Sequence, residues 1–349
     1  MSSSSGQRTP PSPLPVQGLV ALNREERELF LGAVERDLPE LPVRWRFLSD
    51  EELVETSWRE RLDELAPAIL VSAWRTPPLP FDWVQAPDCP LRYVCHLAGS
   101  VRRLVPRAFL ERGGVVTNWG TRAAAAVAEH ALLLALGALR NSPGWSAFMR
   151  QPPETRAAKQ LATRSLFDRR VGLHGFGSIA RELVALLRPF RPALAAYSAG
   201  VPAAVMTDLG VEPCVSLEEL FARSEVIFDC EALTPATTGS VTAEVLAALP
   251  DDGVFVNVGR GRIADEDALL REARSGRIRV AVDVTAREPI APTSPWLQEP
   301  RVLVSPHIGG PTLDLYPELG RHALRNLQHF LSGQPTEATV TCESYDRST

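Results

Sequence analysis

A glycine loop between an apolar strand and a helix restricts the fold of this chain more than any other feature. The strand is predicted at 171–174, the helix at 179–187, and the loop reads Gly175, Phe176, Gly177, Ser178, Ile179, Ala180. The first glycine permits a tight turn, the second permits close approach of a pyrophosphate, and the small alanine lets helix and strand pack closely. Amides at the helix N-terminus would face the phosphates. The arrangement predicts a dinucleotide site formed by Gly175, Phe176, Gly177, Ser178 and Ile179.

Strand-like and helical segments alternate on both sides of this loop. Strands are predicted at 18–22, 43–47, 68–72, 91–95, 115–117, 193–197, 226–228, 254–258, 279–284 and 302–304. Helices are predicted at 24–38, 106–112, 217–222, 266–274 and 313–331. Apolar strands that alternate with helices indicate parallel sheets. The predicted fold class is α/β, with a small α/β unit upstream and a doubly wound, Rossmann-type parallel sheet downstream.

Length and patterning indicate two domains and a tail. A chain of 349 residues is too long for one ordinary core. Residues 1–17 are rich in Ser and Pro and lack the pattern of a signal peptide, so a disordered tail is expected there. The apolar segment 123–139 follows Thr121, a candidate N-cap. Because Glu129 and His130 interrupt it, the prediction is a buried helix rather than a membrane span.

Composition argues against several classes of protein. The net charge of −5 gives no basic surface for nucleic acid or for an anionic membrane. The five cysteines are scattered and form no Cys-x-x-Cys pair. This usage predicts reduced thiols in a cytoplasmic protein, with no metal site.

The position that usually reads the cofactor ribose carries Ser198. An acid is expected about 20 residues after the glycine loop, at the end of the next strand, where it binds the ribose 2′-hydroxyl. Serine neither binds that hydroxyl strongly nor repels a 2′-phosphate, and no Arg or Lys follows at once. Ser198 is predicted to face the cofactor. The choice between NAD and NADP stays open, with NAD slightly favoured.

Three polar side chains follow three successive predicted strands. Arg260 follows the strand at 254–258, Glu288 the strand at 279–284, and His307 the strand at 302–304. Ligands of open α/β sheets bind beyond the carboxyl ends of the strands. An arginine can hold a carboxylate by a forked contact, and an imidazole can transfer a proton. A nearby carboxylate favours the charged imidazole, so the three residues predict a proton-transfer site.

These motifs resemble those of the D-isomer-specific 2-hydroxyacid dehydrogenases. The similarity covers about residues 90 to 340 and rests on 171–182, 257–269, 282–289 and 305–310, with weaker matches at 117–118, 127–130 and 233–235. The resemblance implies a dinucleotide-binding domain at 119–310, inserted into a discontinuous substrate domain at 18–118 and 311–349. It also implies an NAD(P)-dependent oxidoreductase that interconverts a 2-keto acid and a D-2-hydroxy acid.

The resemblance also implies roles for individual residues. Arg260 would hold the carboxylate and carbonyl of the keto acid. His307 would be the general acid in reduction and the base in oxidation, paired with Glu288. Asp283 would meet the nicotinamide carboxamide, and Val258 would belong to the same cofactor site.

Two further features of the family are expected here. The loop of Ala98, Gly99 and Ser100 would bind the substrate carboxylate through its amides. The helix at 122–140 resembles the family's dimer element, which predicts a homodimer.

The chain departs from the family's pattern at three places. Ser198 replaces the usual acid, and Ala98 and Ser100 flank Gly99 where glycines are usual. Asp229, Cys230, Glu231 and Ala232 occupy a stretch that usually contains a histidine and a proline and covers the adenine. These departures bear on cofactor preference and leave Arg260, Glu288 and His307 unaffected.

Alternative functions remain on sequence grounds. One is a non-catalytic, NAD(H)-sensing corepressor-like protein of the same fold. Another is a phosphoglycerate or phosphite dehydrogenase, because the pocket for the substrate side chain lies in loops such as Trp74-Arg75-Thr76. Arg75 could meet a second anionic group there. Formate-oxidising relatives lack the acid partner of the histidine, so Glu288 weighs against that chemistry.

Overall fold

The computed structural model describes residues 16–54 and 58–347. The strands are β1 Val16–Ala21, β2 Val43–Phe47, β3 Ile69–Ser72, β4 Tyr93–His96, β5 Val115–Thr117, β6 Arg170–His174, β7 Ala193–Tyr197, β8 Glu212–Pro213, β9 Val226–Asp229, β10 Val254–Asn257, β11 Arg279–Val282 and β12 Val302–Val304. The α-helices are α1 Arg24–Glu26, α2 Asp50–Val54, α3 Trp58–Leu65, α4 Phe81–Gln85, α5 Arg107–Glu111, α6 Ala124–Leu139, α7 Trp145–Arg150, α8 Ser178–Leu187, α9 Ala203–Thr207, α10 Leu217–Arg223, α11 Ala243–Ala248, α12 Glu266–Ser275, α13 Pro295–Gln298, α14 Tyr316–Ser332 and α15 Cys342–Arg347.

The chain divides into two units. One contains the residues up to Gly120 together with Tyr316–Cys342. The other contains Thr121–Leu315 together with the residues from Glu343 onward. The disordered tail predicted at 1–17 lies outside the described residues except for its last two positions. Those two belong to β1, which begins at Val16 rather than at 18.

The first unit is built on a parallel sheet of order β2-β1-β3-β4-β5. Its strands are short and apolar, and both β3 and β4 are buried along their whole length. Helix α14 packs against β4. This helix begins three residues later than predicted and ends at Ser332, just before Gly333, which adopts a φ of +70°. The left-handed glycine ends the helix as the sequence predicts.

The predicted helix at 24–38 is wrong. The segment forms only the short α1, then a π-helical turn at Arg27–Leu31 and a 3-10 turn at Leu38–Glu40. Gly32 lies inside the segment and Pro39 directly follows it, and both residues disfavour a continuous α-helix there.

The second unit is a doubly wound parallel sheet of order β12-β11-β10-β9-β6-β7-β8. The direction of winding reverses between β6 and β9, as in Rossmann-type folds. Alternate residues of β10 face opposite sides, so that Val254 and Val256 pack in one core and Phe255 in the other. Helices α6 and α8 cover the first core, and α10, α11 and α12 cover the second. The predicted fold class is confirmed.

The long apolar helix α6 is buried against the sheet, with Ala128, Ala131 and Ala135 fully covered. The prediction that Thr121 caps it is wrong. The N-cap is Ala123, and Thr121 instead uses its backbone carbonyl to accept a hydrogen bond from the Ala124 amide. Within the described ranges, no helix is both long and apolar enough to cross a membrane.

Candidate dinucleotide and proton-transfer site

The glycine loop joins β6 to α8 at the point where the sheet reverses its winding. Gly175 has a φ of +86°, and a Cβ atom there would lie 2.6 Å from Cα of Glu231. Gly177 is the N-cap of α8, and apart from Gly177 and its two chain neighbours none of the described residues has an atom within 4 Å of a Cβ built on it. Among the described residues, no side chain caps the first turn of this helix. The open, uncapped helix start fits the pyrophosphate of a dinucleotide.

The other predicted loop residues differ in what they can offer to a cofactor. Phe176 is 1% exposed, and its side chain packs in the hydrophobic core, so only its backbone is available. Ser178 and Ile179 form the first turn of α8 and are half-buried. Ala180 is fully buried, as expected for close packing of helix on strand. Val258, after β10, is buried, and its amide donates to the Asp229 carbonyl.

Ser198 follows β7 and is hydrogen-bonded to a carboxylate. Its hydroxyl donates a 3.0 Å hydrogen bond to Oε2 of Glu231, which follows β9. From the sequence, Glu231 belongs only to the stretch that departs from the family's pattern, and no site is predicted for it. Both side chains are half-buried. A carboxylate therefore lies beside the position that the sequence left uncharged.

Asp283 follows β11 and holds the loop that carries His307. Its carboxylate accepts hydrogen bonds from the Ser305 hydroxyl at 2.6 Å and from the amides of Ile308 at 2.9 Å and Gly309 at 2.8 Å. Nε2 of His130, on α6, lies 3.3 Å from the same carboxylate. Burial of Asp283 raises the pKa of its carboxyl, but these donors outweigh burial and hold the pKa well below its usual range.

His307 and Glu288 form a direct pair. Nδ1 of His307 lies 2.5 Å from Oε2 of Glu288, and Oε1 of Glu288 accepts the Thr285 amide at 2.8 Å. His307 has a φ of +55°, which is uncommon for a residue other than glycine. The hydrogen bonds from the following amides to Asp283 hold this loop conformation in place.

Arg260 follows β10 in a tightly packed loop. The Asn257 side chain bonds both the Gly259 amide and the Arg260 carbonyl, at 2.9 Å and 3.1 Å. A Cβ on Gly261 would lie 2.0 Å from the Thr285 carbonyl carbon, so only glycine fits against that strand end. Burial lowers the pKa of Arg260, and the nearby Glu288 carboxylate opposes that shift. The second unit thus brings Arg260, Glu288 and His307 to adjacent strand ends.

The predicted carboxylate loop lies in the first unit, after β4. The Gly99 carbonyl accepts a 2.6 Å hydrogen bond from the Asn118 side chain. A Cβ on Gly99 would lie 2.8 Å from the Trp119 indole. Ala98 is buried, and Ser100 is half-buried.

The fold and the glycine loop define a dinucleotide-binding α/β protein, and a histidine–carboxylate pair lies at the ends of two neighbouring strands of its sheet. Residues 132–309 match the model of a known family, described as D-isomer specific 2-hydroxyacid dehydrogenase, NAD binding domain. The chain belongs to the D-isomer-specific 2-hydroxyacid dehydrogenase family, and it carries that family's NAD-binding domain.

Individual relatives agree with this family. The hydroxypyruvate reductase of Thermotoga maritima is 33% identical over 215 residues, which are 60% of this chain and 68% of the relative. The D-3-phosphoglycerate dehydrogenase of Mycobacterium tuberculosis is 32% identical over 224 residues, or 64% of this chain and 42% of the relative. This chain therefore spans less than half of the mycobacterial protein.

A crystal structure of a glyoxylate reductase from Paecilomyes thermophila matches with a TM-score of 0.78 at 24% identity, covering 93% of this chain and 98% of that chain. The NADPH-dependent glyoxylate/hydroxypyruvate reductase of Sinorhizobium meliloti matches with a TM-score of 0.74, also at 24% identity, covering 96% of this chain and 99% of that chain. At this level of identity the likeness shows the fold alone.

Proposed function

We propose that this chain is an NAD(P)-dependent oxidoreductase that interconverts a 2-keto acid and a D-2-hydroxy acid. The observation that carries the proposal is the 2.5 Å contact between Nδ1 of His307 and Oε2 of Glu288. A carboxylate only accepts hydrogen bonds, so it orients the imidazole with a proton on Nδ1. That arrangement leaves Nε2 to exchange a proton with substrate.

The proposed reaction assigns a role to each residue of the site. When bound, the nicotinamide cofactor supplies hydride to the carbonyl carbon in the reduction. Nε2 of His307 donates the proton to the carbonyl oxygen, and in the oxidation it takes the proton back from the hydroxyl. Glu288 stabilises the charged imidazole. Arg260 orients the substrate carboxylate and stabilises charge on the carbonyl oxygen.

The cofactor residues are proposed on the same basis. The first-turn amides of α8, after Gly175 and Gly177, would hold the pyrophosphate. Ser178, Ile179 and the backbone of Phe176 would line it, and Val258 and Asp283 would lie nearer the nicotinamide. Ala98, Gly99 and Ser100 would supply amides for the substrate carboxylate.

An aromatic cluster in the first unit supports a substrate with an apolar side chain. Trp74, after β3, is 45% exposed and contacts the rings of Phe30, Tyr316 and Trp119 at centroid distances of 5.1, 6.4 and 6.3 Å. Trp119 also touches Gly99 of the proposed carboxylate loop. We therefore propose an aryl- or alkyl-substituted 2-keto acid, in preference to a phosphorylated one.

A screen of 2-keto acids tests these assignments. Oxidation of NADH and of NADPH is followed by absorbance with phenylpyruvate, glyoxylate and 3-phosphohydroxypyruvate as substrates. We expect turnover, with the highest kcat/KM for phenylpyruvate and a selective loss for that substrate in Trp74→Ala. Higher efficiency with the phosphorylated acid would contradict the proposed substrate class and favour the phosphoglycerate alternative.

The alternative of a non-catalytic NAD(H) sensor predicts cofactor binding without turnover. Such a protein binds the cofactor but has no use for a proton-transfer pair, so the His307–Glu288 contact favours the enzyme. Tight NADH binding without turnover on any keto acid in the panel would favour the sensor.

We also propose a homodimer in the cytoplasm. The support is the family's use of the helix corresponding to α6, on which Leu133 is 60% exposed. Light scattering of the purified chain measures the oligomeric state, and a monomer at all protein concentrations would contradict the homodimer.

A further inference from the structure

Two departures from the family's usual pattern are neighbours in this structure. Ser198 stands where the family usually has an acid, and Glu231 lies in the stretch that usually contains a histidine and a proline. The Ser198 hydroxyl donates to the Glu231 carboxylate at 3.0 Å. The missing charge at the end of β7 is thus replaced from the end of β9.

The Glu231 carboxylate is held in place at both oxygens. Oε2 accepts the Ser198 hydroxyl, and Oε1 accepts the Ala232 amide at 2.9 Å. The Glu231 amide donates to Oδ1 of Asp229 at 3.2 Å. Each carboxylate oxygen has room for a further hydrogen bond. Because the side chain is only half-buried, a ligand hydroxyl can reach it.

The Glu231 backbone also lies against the glycine loop. A Cβ on Gly175 would come within 2.6 Å of Cα of Glu231. Strands β7 and β9 both pair with β6, so residues that follow them flank the loop that follows β6. In Rossmann-type sheets the end of the second strand is where the adenosine ribose is read. The Glu231 side chain reaches that place through Ser198.

The neighbouring acid does not duplicate this charge. Asp229 is fully buried, and its carboxylate lies 3.2 Å from Nδ1 of the buried His174. Burial lowers the pKa of His174, but the Asp229 carboxylate, with a smaller contribution from Glu231, outweighs burial, and the net shift is upward. Asp229 is therefore paired within the protein, while Glu231 is the carboxylate available to a ligand.

We propose that Glu231 supplies the carboxylate that binds the cofactor's adenosine ribose 2′-hydroxyl and excludes a 2′-phosphate, so that the chain prefers NAD to NADP. Ser198 is a positioning residue that orients this carboxylate. The inference rests on the cofactor site named under the proposed function. A carboxylate accepts hydrogen bonds from the ribose hydroxyl and repels a phosphate at the same position.

Titration of the purified full chain with NADH and with NADPH tests the inference, with binding followed by cofactor fluorescence. We expect the wild type to bind NADH at least about a hundredfold more tightly than NADPH, which corresponds to about 2.7 kcal/mol. Glu231→Gln keeps the shape of the side chain and removes its charge. This variant should lower the NADH preference by at least about tenfold, or about 1.4 kcal/mol.

Two further variants make the result specific. Ser198→Asp combined with Glu231→Gln returns a carboxylate to the usual strand end and should restore the NADH preference. Glu218→Gln removes an exposed charge from α10 and should leave the ratio of the two dissociation constants unchanged.

The outcomes separate this inference from the proposed function. An unchanged ratio in Glu231→Gln, with NADH affinity and keto-acid reduction retained, would overturn the ribose assignment alone. A wild type that binds the two cofactors equally would do the same. Failure of the wild type to bind either cofactor would overturn the proposed function and this inference together.

Discussion

Glu288 connects two elements of the site, because one carboxylate oxygen lies 2.5 Å from Nδ1 of His307 and the other accepts the Thr285 amide at 2.8 Å. The hydrogen bond from the Thr285 amide keeps the carboxylate oriented toward the imidazole. This geometry leaves Nε2 as the free nitrogen of His307.

Removing the imidazole should abolish most catalysis without affecting cofactor binding. We expect His307→Ala to lower the rate of keto-acid reduction about a hundred- to ten-thousand-fold, the usual cost of losing a general acid. The dissociation constant of this variant for NADH should stay within about twofold of the wild-type value, because the imidazole is assigned to proton transfer and not to cofactor binding. A twofold change corresponds to only about 0.4 kcal/mol. Stopped-flow kinetics and NADH titration measure the two quantities. A variant that keeps more than about a third of the rate would exclude His307 as the proton donor.

Arg260→Lys should lower catalytic efficiency although it keeps the positive charge. Lysine cannot make the planar, forked contact that a guanidinium makes with a carboxylate. The loss should appear in kcat/KM for every 2-keto acid tested. Arg262→Lys, two residues further along the chain at an exposed position, is a matched control that should behave as the wild type. Wild-type efficiency in Arg260→Lys would assign Arg260 a structural role.

The two loop glycines should respond differently to the same substitution. Gly177→Ala adds a methyl group that would have no described atom within 4 Å beyond its own residue and its two chain neighbours, so the melting temperature should hardly change. NADH affinity should fall, because the methyl group occupies the approach of the pyrophosphate. Gly175→Ala places a Cβ at a φ of +86° and 2.6 Å from the Glu231 backbone, so this variant should lose stability as well. Equal melting temperatures for the two variants would contradict this account of the loop.

Asp283→Asn should destabilise the protein most at neutral pH. The folded-state pKa of Asp283 is depressed, so its stabilising contribution is fully present above the ordinary pKa of 3.8 and is lost as pH falls through the folded pKa. We expect a difference in unfolding free energy of about 1–3 kcal/mol above pH 4, which shrinks as the pH falls further. Urea unfolding across the acid range measures it, with the exposed Asp208→Asn as control. A difference that does not depend on pH would show that the Asp283 charge is not what holds the loop.

Much of the fold could be predicted because strand and helix signals are local. The strands β2, β5, β7 and β12 have the predicted bounds, and the glycine loop joins a strand to a helix as its spacing requires. The helix prediction for 24–38 is wrong because the apolar residues have helical spacing, whereas Gly32 and the following Pro39 oppose a long helix. The short β8 and the helices α9, α11, α13 and α15 carry too few periodic residues to be recognised from sequence.

The site was harder to predict where it depends on which strands are neighbours. Arg260, Glu288 and His307 could be singled out, since each follows its own strand. The pairing of Ser198 with Glu231 could not, because it requires that β7 and β9 flank β6, an order that hydrophobic patterning does not contain. The four hydrogen-bonding groups around Asp283 could not be predicted either. Two of them are backbone amides, which the identity of the side chains does not reveal.

The backbone of Glu231 has a second neighbour besides the cofactor loop. A Cβ on Gly259 would lie 2.7 Å from the Glu231 carbonyl oxygen, so the loop that carries Arg260 rests on the same residue as Gly175. One peptide segment therefore acts as a spacer between the loop proposed to bind the coenzyme and the loop proposed to anchor the substrate. An insertion at 230–232 would change coenzyme choice and substrate handling together, whereas a change of side chain at 231 would alter the first and spare the second.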